Sequence, residues 1–138
     1  MPLAQVHGRS ELIVDFLSHC ERGNLAIVKE IAERLGDVDV VDSAGRTGLI
    51  SAASRNRIEV IAFLLERGAD PNKANANGTT PLMFAKTAAF AYGDSTGMKL
   101  LINAGANRNA RDKFGLTALD YTKERADMIK AVLENYGK

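Results

Sequence analysis

Apolar residues recur along this chain at the spacing of one buried helix face. The clearest segment, 60–65, places them at i, i+3 and i+4, as in an amphipathic helix. Two earlier helices are predicted between Leu12 and Leu35, with a break at Gly23-Asn24. A last helix is predicted from Ala126 to Tyr136, with Ile129, Val132 and Leu133 facing inward. The pattern therefore predicts an all-α chain built from paired helices.

A polar turn motif, Asp/Asn-x-x-Gly-x-Thr-x-Leu, precedes several of these helices. It occurs at 42–49, 75–82 and 112–119. The short Asp or Asn side chain can cap its own backbone, and the Gly can adopt a positive φ. The Thr suits a helix N-cap, and Pro81 would then occupy the first helical position. The motif predicts a tight turn followed at once by the start of a helix.

The motif returns at a nearly constant interval. Its Thr residues, Thr47, Thr80 and Thr117, lie 33 and then 37 residues apart. A second marker, Gly68 and Gly105, repeats with the same 37-residue offset, and both glycines are predicted to end helices as C-caps. Two markers in one register predict a repeat array of helix-turn-helix units.

The segment Thr80-Pro-Leu-Met-Phe-Ala85, together with the 33-residue period, resembles the ankyrin-repeat family. The resemblance implies an all-α solenoid of helix-turn-helix units joined by short β-hairpin-like turns. The His of the family motif is absent, because Ile50, Met83 and Asp120 stand in its place. That His normally makes local hydrogen bonds in the turn, so its loss predicts looser turns in the same fold.

The repeats divide the chain into a tail, 1–10, and one repeat domain, 11–138. The predicted repeats are 11–41, 42–74, 75–111 and 112–138, of which the first and last act as caps. The third repeat carries four extra residues within 88–96. Insertions in repeat arrays map to loops on one face. Phe90 and Tyr92 lie either in a lengthened first helix packed on its neighbour, which we favour, or in an exposed aromatic contact.

Composition and charge narrow the class of protein. The chain has 138 residues, 46% hydrophobic and 25% charged, which is typical of one soluble globular domain. Its 18 Lys and Arg against 17 Asp and Glu leave no basic excess, so nucleic-acid binding is not expected. The amino terminus does not resemble a secretory signal, and no apolar run approaches the roughly 20 residues that cross a bilayer. We expect a cytoplasmic protein that does not bind membranes.

No residue pattern indicates an active site. His19 and Cys20 are adjacent on one predicted helix, and their side chains would point about 100° apart, so they do not form a nucleophile pair. His19 is better interpreted as a partly buried capping residue. The two His and one Cys give no zinc-ligand cluster, and no phosphate-binding glycine loop is present. We therefore predict no enzyme activity, no metal, no cofactor and no small-molecule substrate.

The family resemblance implies where a partner protein would bind. Ankyrin-repeat proteins typically use the hairpin tips and the exposed side of each first helix. The matching positions in this sequence are Ser43, Ala44, Arg46, Arg55, Asn77, Thr79, Thr87, Arg111, Lys113, Phe114, Leu116 and Arg125.

Phe114 and Leu116 are unusual because a turn tip offers little core to bury them. They are either contact residues or are packed on the preceding hairpin, and both alternatives stay open. We hypothesise that Phe114, Arg111, Arg46 and Arg55 form a central contact patch.

The predicted function is a non-enzymatic protein–protein interaction module, monomeric by itself. The alternative is a dedicated inhibitor or immunity protein that neutralises a single enzyme or toxin, because one small domain has little to bridge.

Overall fold

The structure, a computed structural model, describes residues 8–121 and 132–135. Within these residues the chain forms α-helices, short turns and no strand; the nearest feature to a strand is one antiparallel bridge between Val41 and Thr47. The α-helices are α1 (Arg9–Arg22), α2 (Leu25–Leu35), α3 (Gly48–Ser54), α4 (Ile58–Glu66), α5 (Pro81–Tyr92) and α6 (Thr96–Asn103). The predicted all-α fold class is confirmed.

Two shorter helical segments follow α6. Leu119–Tyr121 is a 3-10 helix, and residues 132–135 are helical. Val132 and Leu133 are buried, as the sequence predicted, and Glu134 is exposed. The rest of the predicted last helix, including Ile129, lies outside the described residues.

The helices stack in two layers. Each first helix packs against the second helix of its own pair, and α1, α3 and α5 pack side by side in one layer. The second helices, α2, α4 and α6, form the other layer. A continuous apolar core fills the space between the layers, and its largest fully buried side chains include Phe16, Ile31, Leu49, Ile61, Leu64, Leu82, Met98 and Leu101. Because each pair buries its apolar face only against its neighbours, the stack is stabilised as a repeat array.

The starts and ends of the helices follow the local sequence. The Thr47 hydroxyl accepts the Ile50 N–H at 3.1 Å, and the Thr80 hydroxyl makes the same N-cap bond with Met83. Pro81 is the first residue of α5, where a missing N–H costs no helical hydrogen bond. The break at Gly23-Asn24 separates α1 from α2, as predicted.

A glycine at the start of α3 lets this helix approach α1 closely. A Cβ atom on Gly48 would lie 2.8 Å from Cε2 of Phe16 and 3.0 Å from Sγ of Cys20. Gly48 therefore stands where Pro81 stands in α5 because the buried Phe16 ring occupies the space of a side chain.

The four extra residues of the third repeat lengthen a helix and leave the loop unchanged. α5 begins 33 residues after α3, whereas Asn56 and Gly93, the left-handed residues that follow the two helices, lie 37 residues apart, so the four added residues fall within α5. Phe90 and Tyr92 lie in this added part of α5 and are 45% and 55% exposed. The lengthened first helix agrees with the favoured interpretation, but both side chains remain largely exposed because the added turn extends beyond the matching end of α3.

No helix in the described part of the chain combines the length and the apolar character needed to cross a membrane.

Candidate functional site

Three short hairpins connect the helix pairs, and we name them the first hairpin (42–47), the second hairpin (75–80) and the third hairpin (112–117). In the first hairpin, Oδ1 of Asp42 accepts the N–H groups of Ala44 at 2.9 Å and Arg46 at 3.0 Å. Asn75 and Asp112 make the same two bonds in the other hairpins, at 2.9 to 3.1 Å. The three turns are therefore closely similar and tightly bonded.

The expectation of looser turns is wrong, because the first residue of each turn supplies its own hydrogen bonds. The pKa of the Asp42 carboxyl lies below its usual range. Burial by itself would raise this pKa, but the N–H groups of Arg46 and Ala44 and the Arg46 guanidinium together stabilise the carboxylate more strongly. In the third hairpin, Asp120 also takes over a local role. Its Oδ2 accepts the Thr117 N–H at 2.9 Å, while the Thr117 hydroxyl accepts the Asp120 N–H at 3.2 Å.

Neighbouring hairpins are joined by a ladder of backbone hydrogen bonds. The Ala44 carbonyl accepts the Ala76 N–H at 2.9 Å, and the Asn77 carbonyl accepts the Lys113 N–H at 2.9 Å. The turn glycines allow this approach, since a Cβ on Gly45 would lie 2.9 Å from the Ala76 nitrogen. The ladder holds the three tips at one edge of the stack.

The third hairpin presents an exposed aromatic ring. Phe114 is 71% exposed, so the alternative in which it packs on the preceding hairpin is wrong. Nζ of Lys113 lies 5.2 Å from the centre of the Phe114 ring, within the range of a cation–π contact. The Arg111 guanidinium donates to the Gly115 carbonyl at 2.7 Å. Leu116, beside them, is 37% exposed.

The four residues of the hypothesised central patch fall into two groups. Arg46 pairs with Asp42 at 3.2 Å, and Arg55 pairs with Glu21 of α1 at 3.3 Å. No contact within the described residues joins these two arginines to Arg111 or Phe114. The second hairpin lies between the two groups along the stack, so the structure does not assemble them into one patch.

The first group borders a shallow groove between α1 and the first hairpin. Its lining combines one face of α1 with the turn: Val14, Leu17, Ser18, Glu21, Asp42, Ser43 and Arg46. Val14 is 61% exposed although it is aliphatic. The sequence interpretation missed the α1 residues because it transferred positions only from repeats that contain a hairpin. The spacing of Val14, Ser18 and Glu21 on one helix face was the available signal.

The remaining predicted contact residues differ in accessibility. Ser43, Ala44, Asn77 and Thr87 are exposed, whereas Thr79 is half-buried, with its N–H bound to Asn75. The Thr87 hydroxyl donates to the Met83 carbonyl at 3.3 Å. Arg125 lies outside the described residues.

The His19–Cys20 pair has no catalytic geometry. Cys20 is buried among apolar side chains, and burial raises the pKa of its thiol to about 12. Nδ1 of His19 contacts the Asn24 amide at 2.9 Å, next to the end of α1. Within 8–121 and 132–135, no three His, Cys, Asp or Glu side chains cluster as metal ligands.

Comparison with known proteins identifies the repeats. The family model described as ankyrin repeats (3 copies) matches residues 16–88, and the model of a single ankyrin repeat matches residues 77–113. The chain belongs to the ankyrin-repeat family.

Several curated proteins are similar to this ankyrin-repeat chain. It is 36% identical over 108 residues to ankyrin repeat and SAM domain-containing protein 6 of Rattus norvegicus, covering 77% of this chain and 12% of that protein. It is 32% identical over 102 residues to the E3 ubiquitin-protein ligase hecd-1 of Caenorhabditis elegans, covering 74% and 4%. An ankyrin repeat-containing protein of Schizosaccharomyces pombe is 34% identical over 85 residues, covering 62% and 39%. The chain thus spans only a small part of the first two relatives.

Proposed function

We propose that this ankyrin-repeat chain is a non-enzymatic module that binds a partner protein through its three hairpins and the exposed sides of α1 and α5. Ankyrin repeats are in general protein–protein interaction modules, which supports the class of function. The ladder between the hairpins carries the proposal for the surface. It aligns exposed polar and charged tips at fixed spacing on a rigid frame, which lowers the entropy cost of binding.

The proposal includes the predictions of a cytoplasmic location, a monomeric state, and no binding of nucleic acid, membrane or small-molecule substrate. The nearly balanced charge supports the exclusion of nucleic acid, because phosphate binding requires a basic surface. The deeply buried thiol of Cys20 supports the absence of nucleophilic chemistry at that residue.

Affinity capture with the tagged full chain, followed by calorimetry on each purified partner, tests the proposal. Arg46→Ala and Arg111→Ala change the two ends of the proposed surface. Lys29→Ala, on the outer helix α2, is the matched control, because Lys29 is also exposed and basic. Truncation of a contact arginine is expected to weaken binding about 5- to 30-fold, the range for interface residues worth about 1–2 kcal/mol.

If neither Arg46→Ala nor Arg111→Ala changed the affinity for the partner, the proposed surface would be contradicted. Failure to recover any directly binding protein would contradict the function itself. A single stoichiometric partner that loses its enzymatic or toxic activity on binding would support the narrower alternative of an inhibitor or immunity protein. Several partners with unaltered activity would support a general adaptor.

A further inference from the structure

The hydrogen-bond ladder between the hairpins ends with an unused acceptor. Each step joins the carbonyl before the turn glycine to an N–H on the next hairpin, at Ala44–Ala76 and at Asn77–Lys113. The same register makes the Phe114 carbonyl the next acceptor. No described residue donates a hydrogen bond to it. The third hairpin therefore presents the same carbonyl as the first two hairpins, but no N–H of a described residue binds it.

The space beside this acceptor is also open. A Cβ on Gly45 would lie 2.9 Å from the backbone of the second hairpin, and one on Gly78 would lie 3.2 Å from the backbone of the third. Gly115 has the same left-handed conformation, with φ of +75°, but no atom of the described residues lies within 4 Å of the equivalent position. A backbone can therefore approach Gly115 as closely as the hairpins approach Gly45 and Gly78.

The side chains around this edge are cationic and aromatic. Arg111 and Lys113 form no ion pair with a carboxylate of the described residues; the first binds the Gly115 carbonyl and the second lies over the Phe114 ring. In the first hairpin, by contrast, Arg46 is already paired with Asp42. The third hairpin thus combines two positive charges that pair with no described carboxylate and an apolar ring that is 71% exposed.

We propose that this third-hairpin edge (Arg111, Lys113, Phe114 and Gly115) binds an extended, acidic segment of a partner protein. The inference rests on the proposed function and specifies one end of its surface. A backbone N–H of the segment donates to the Phe114 carbonyl and continues the ladder, which is recognition by addition of a strand. An apolar side chain of the segment packs on the Phe114 ring, and a neighbouring Asp or Glu pairs with Arg111 or Lys113.

Selection of random 12-residue peptides displayed on phage against the full chain tests this proposal. We expect the selected peptides to carry Asp or Glu next to an apolar residue. For a synthetic copy of each peptide, fluorescence anisotropy is expected to show at least a tenfold rise in Kd with Phe114→Ala and with the double variant Arg111→Glu/Lys113→Glu. Binding should also weaken at high salt and on N-methylation of one central peptide N–H.

Lys29→Glu is the matched control, because it reverses an exposed charge on α2, outside the proposed binding surface. Its Kd should equal that of the parent chain. Circular dichroism of each variant checks the fold, which exposed side chains such as Phe114 are not expected to change.

The proposal would be overturned if the selected peptides lacked acidic residues. It would also be overturned if their Kd were unchanged by the third-hairpin variants and by the N-methyl group. If Arg46→Glu weakened binding and the third-hairpin variants did not, the proposed function would stand and this inference would fall. If no peptide were selected and no partner captured, both would fall. A concentration-dependent dimer in sedimentation experiments that Phe114→Ala abolishes would identify a second copy as the occupant, and would also overturn it.

Discussion

Replacement of Gly48 by Ala tests the close packing between α1 and α3. Helix propensity by itself favours Ala over Gly by up to about 1 kcal/mol, so a sequence-based argument predicts stabilisation. The structure predicts the opposite. The new Cβ would lie 2.8 Å from Cε2 of Phe16 and 3.0 Å from Sγ of Cys20, and both side chains are 0% exposed. Neither can move aside without disturbing the core.

Overpacking of this kind costs about 1–3 kcal/mol. Subtraction of about 1 kcal/mol of helix propensity leaves a loss of about 0–2 kcal/mol. Because both contacts would be as short as 2.8 and 3.0 Å, we expect Gly48→Ala to fall in the upper half of that range, about 1–2 kcal/mol. Urea unfolding followed by far-UV circular dichroism measures this difference from the shift of the midpoint. A double-mutant cycle with Phe16→Leu assigns its cause, because the smaller side chain removes the ring edge that the new methyl group meets.

In the Phe16→Leu background, the cost of Gly48→Ala should fall by about 1 kcal/mol. Gly97→Ala in α6 is the control: its Cβ would lie at ordinary contact distances from Oδ1 of Asn56 (3.5 Å) and Cδ1 of Ile58 (3.6 Å), and its one tight contact would be with the terminal Cδ1 methyl group of Ile61, at 3.2 Å. We expect this control to change stability by less than about 0.5 kcal/mol, because a small shift of that methyl group is offset by helix propensity. A Gly48→Ala variant as stable as the parent, or an equal loss in both backgrounds, would refute the reasoning.

Three further predictions concern caps, titration and turns. Thr47→Ala should lower the free energy of unfolding in urea by about 1 kcal/mol, because the N-cap bond is lost. Thr47→Ser should retain most of this stability, because its hydroxyl can make the same bond. Equal losses in Thr47→Ala and Thr47→Ser would contradict the role of the N-cap. Burial raises the pKa of Cys20 to about 12, so the thiol stays neutral in the folded chain while the unfolded thiol ionises above about pH 9. The free energy of unfolding should therefore fall as pH rises from about 9 to about 12, and it should fall less in Cys20→Ala. If the urea midpoint changed with pH by the same amount in both chains, this contribution would be excluded. Gly45→Ala should cost at least about 1 kcal/mol more than Gly115→Ala, since the two turns share a φ of 74° to 75° but only the first Cβ would meet a backbone nitrogen, that of Ala76. Thermal or urea unfolding that shows equal losses would mean that the close approach contributes nothing.

Much of the fold could be predicted because local sequence and burial agree. The break at Gly23-Asn24, the N-caps at Thr47 and Thr80 and the apolar face of α4 each follow from one short segment. The lengthened first helix of the third repeat was the favoured interpretation, but the exposure of its added turn could not be predicted in this way. It depends on what packs against that turn, and nothing in segment 88–96 states that Phe90 would remain exposed.

The candidate site was predictable only as a set of positions. The turn motif placed Arg46 and Phe114 at hairpin tips, but charge pairing across repeats is invisible to a local pattern. Arg55 pairs with Glu21, which lies 34 residues earlier in the chain. The unused carbonyl of Phe114 depends on the register between hairpins, which only the assembled backbone reveals.

The lengthened α5 shows how repeats of unequal size can share one stack. Four added residues rotate a helix by about 400°, one full turn and a small remainder. The chain therefore leaves α5 in nearly the direction in which it leaves α3, and α6 still packs against α4. An addition of two residues would turn the exit by about 200° and direct the next helix away from the core. Repeat length in this protein can thus vary by whole turns, which extend one edge of the molecule while the hairpin register is preserved.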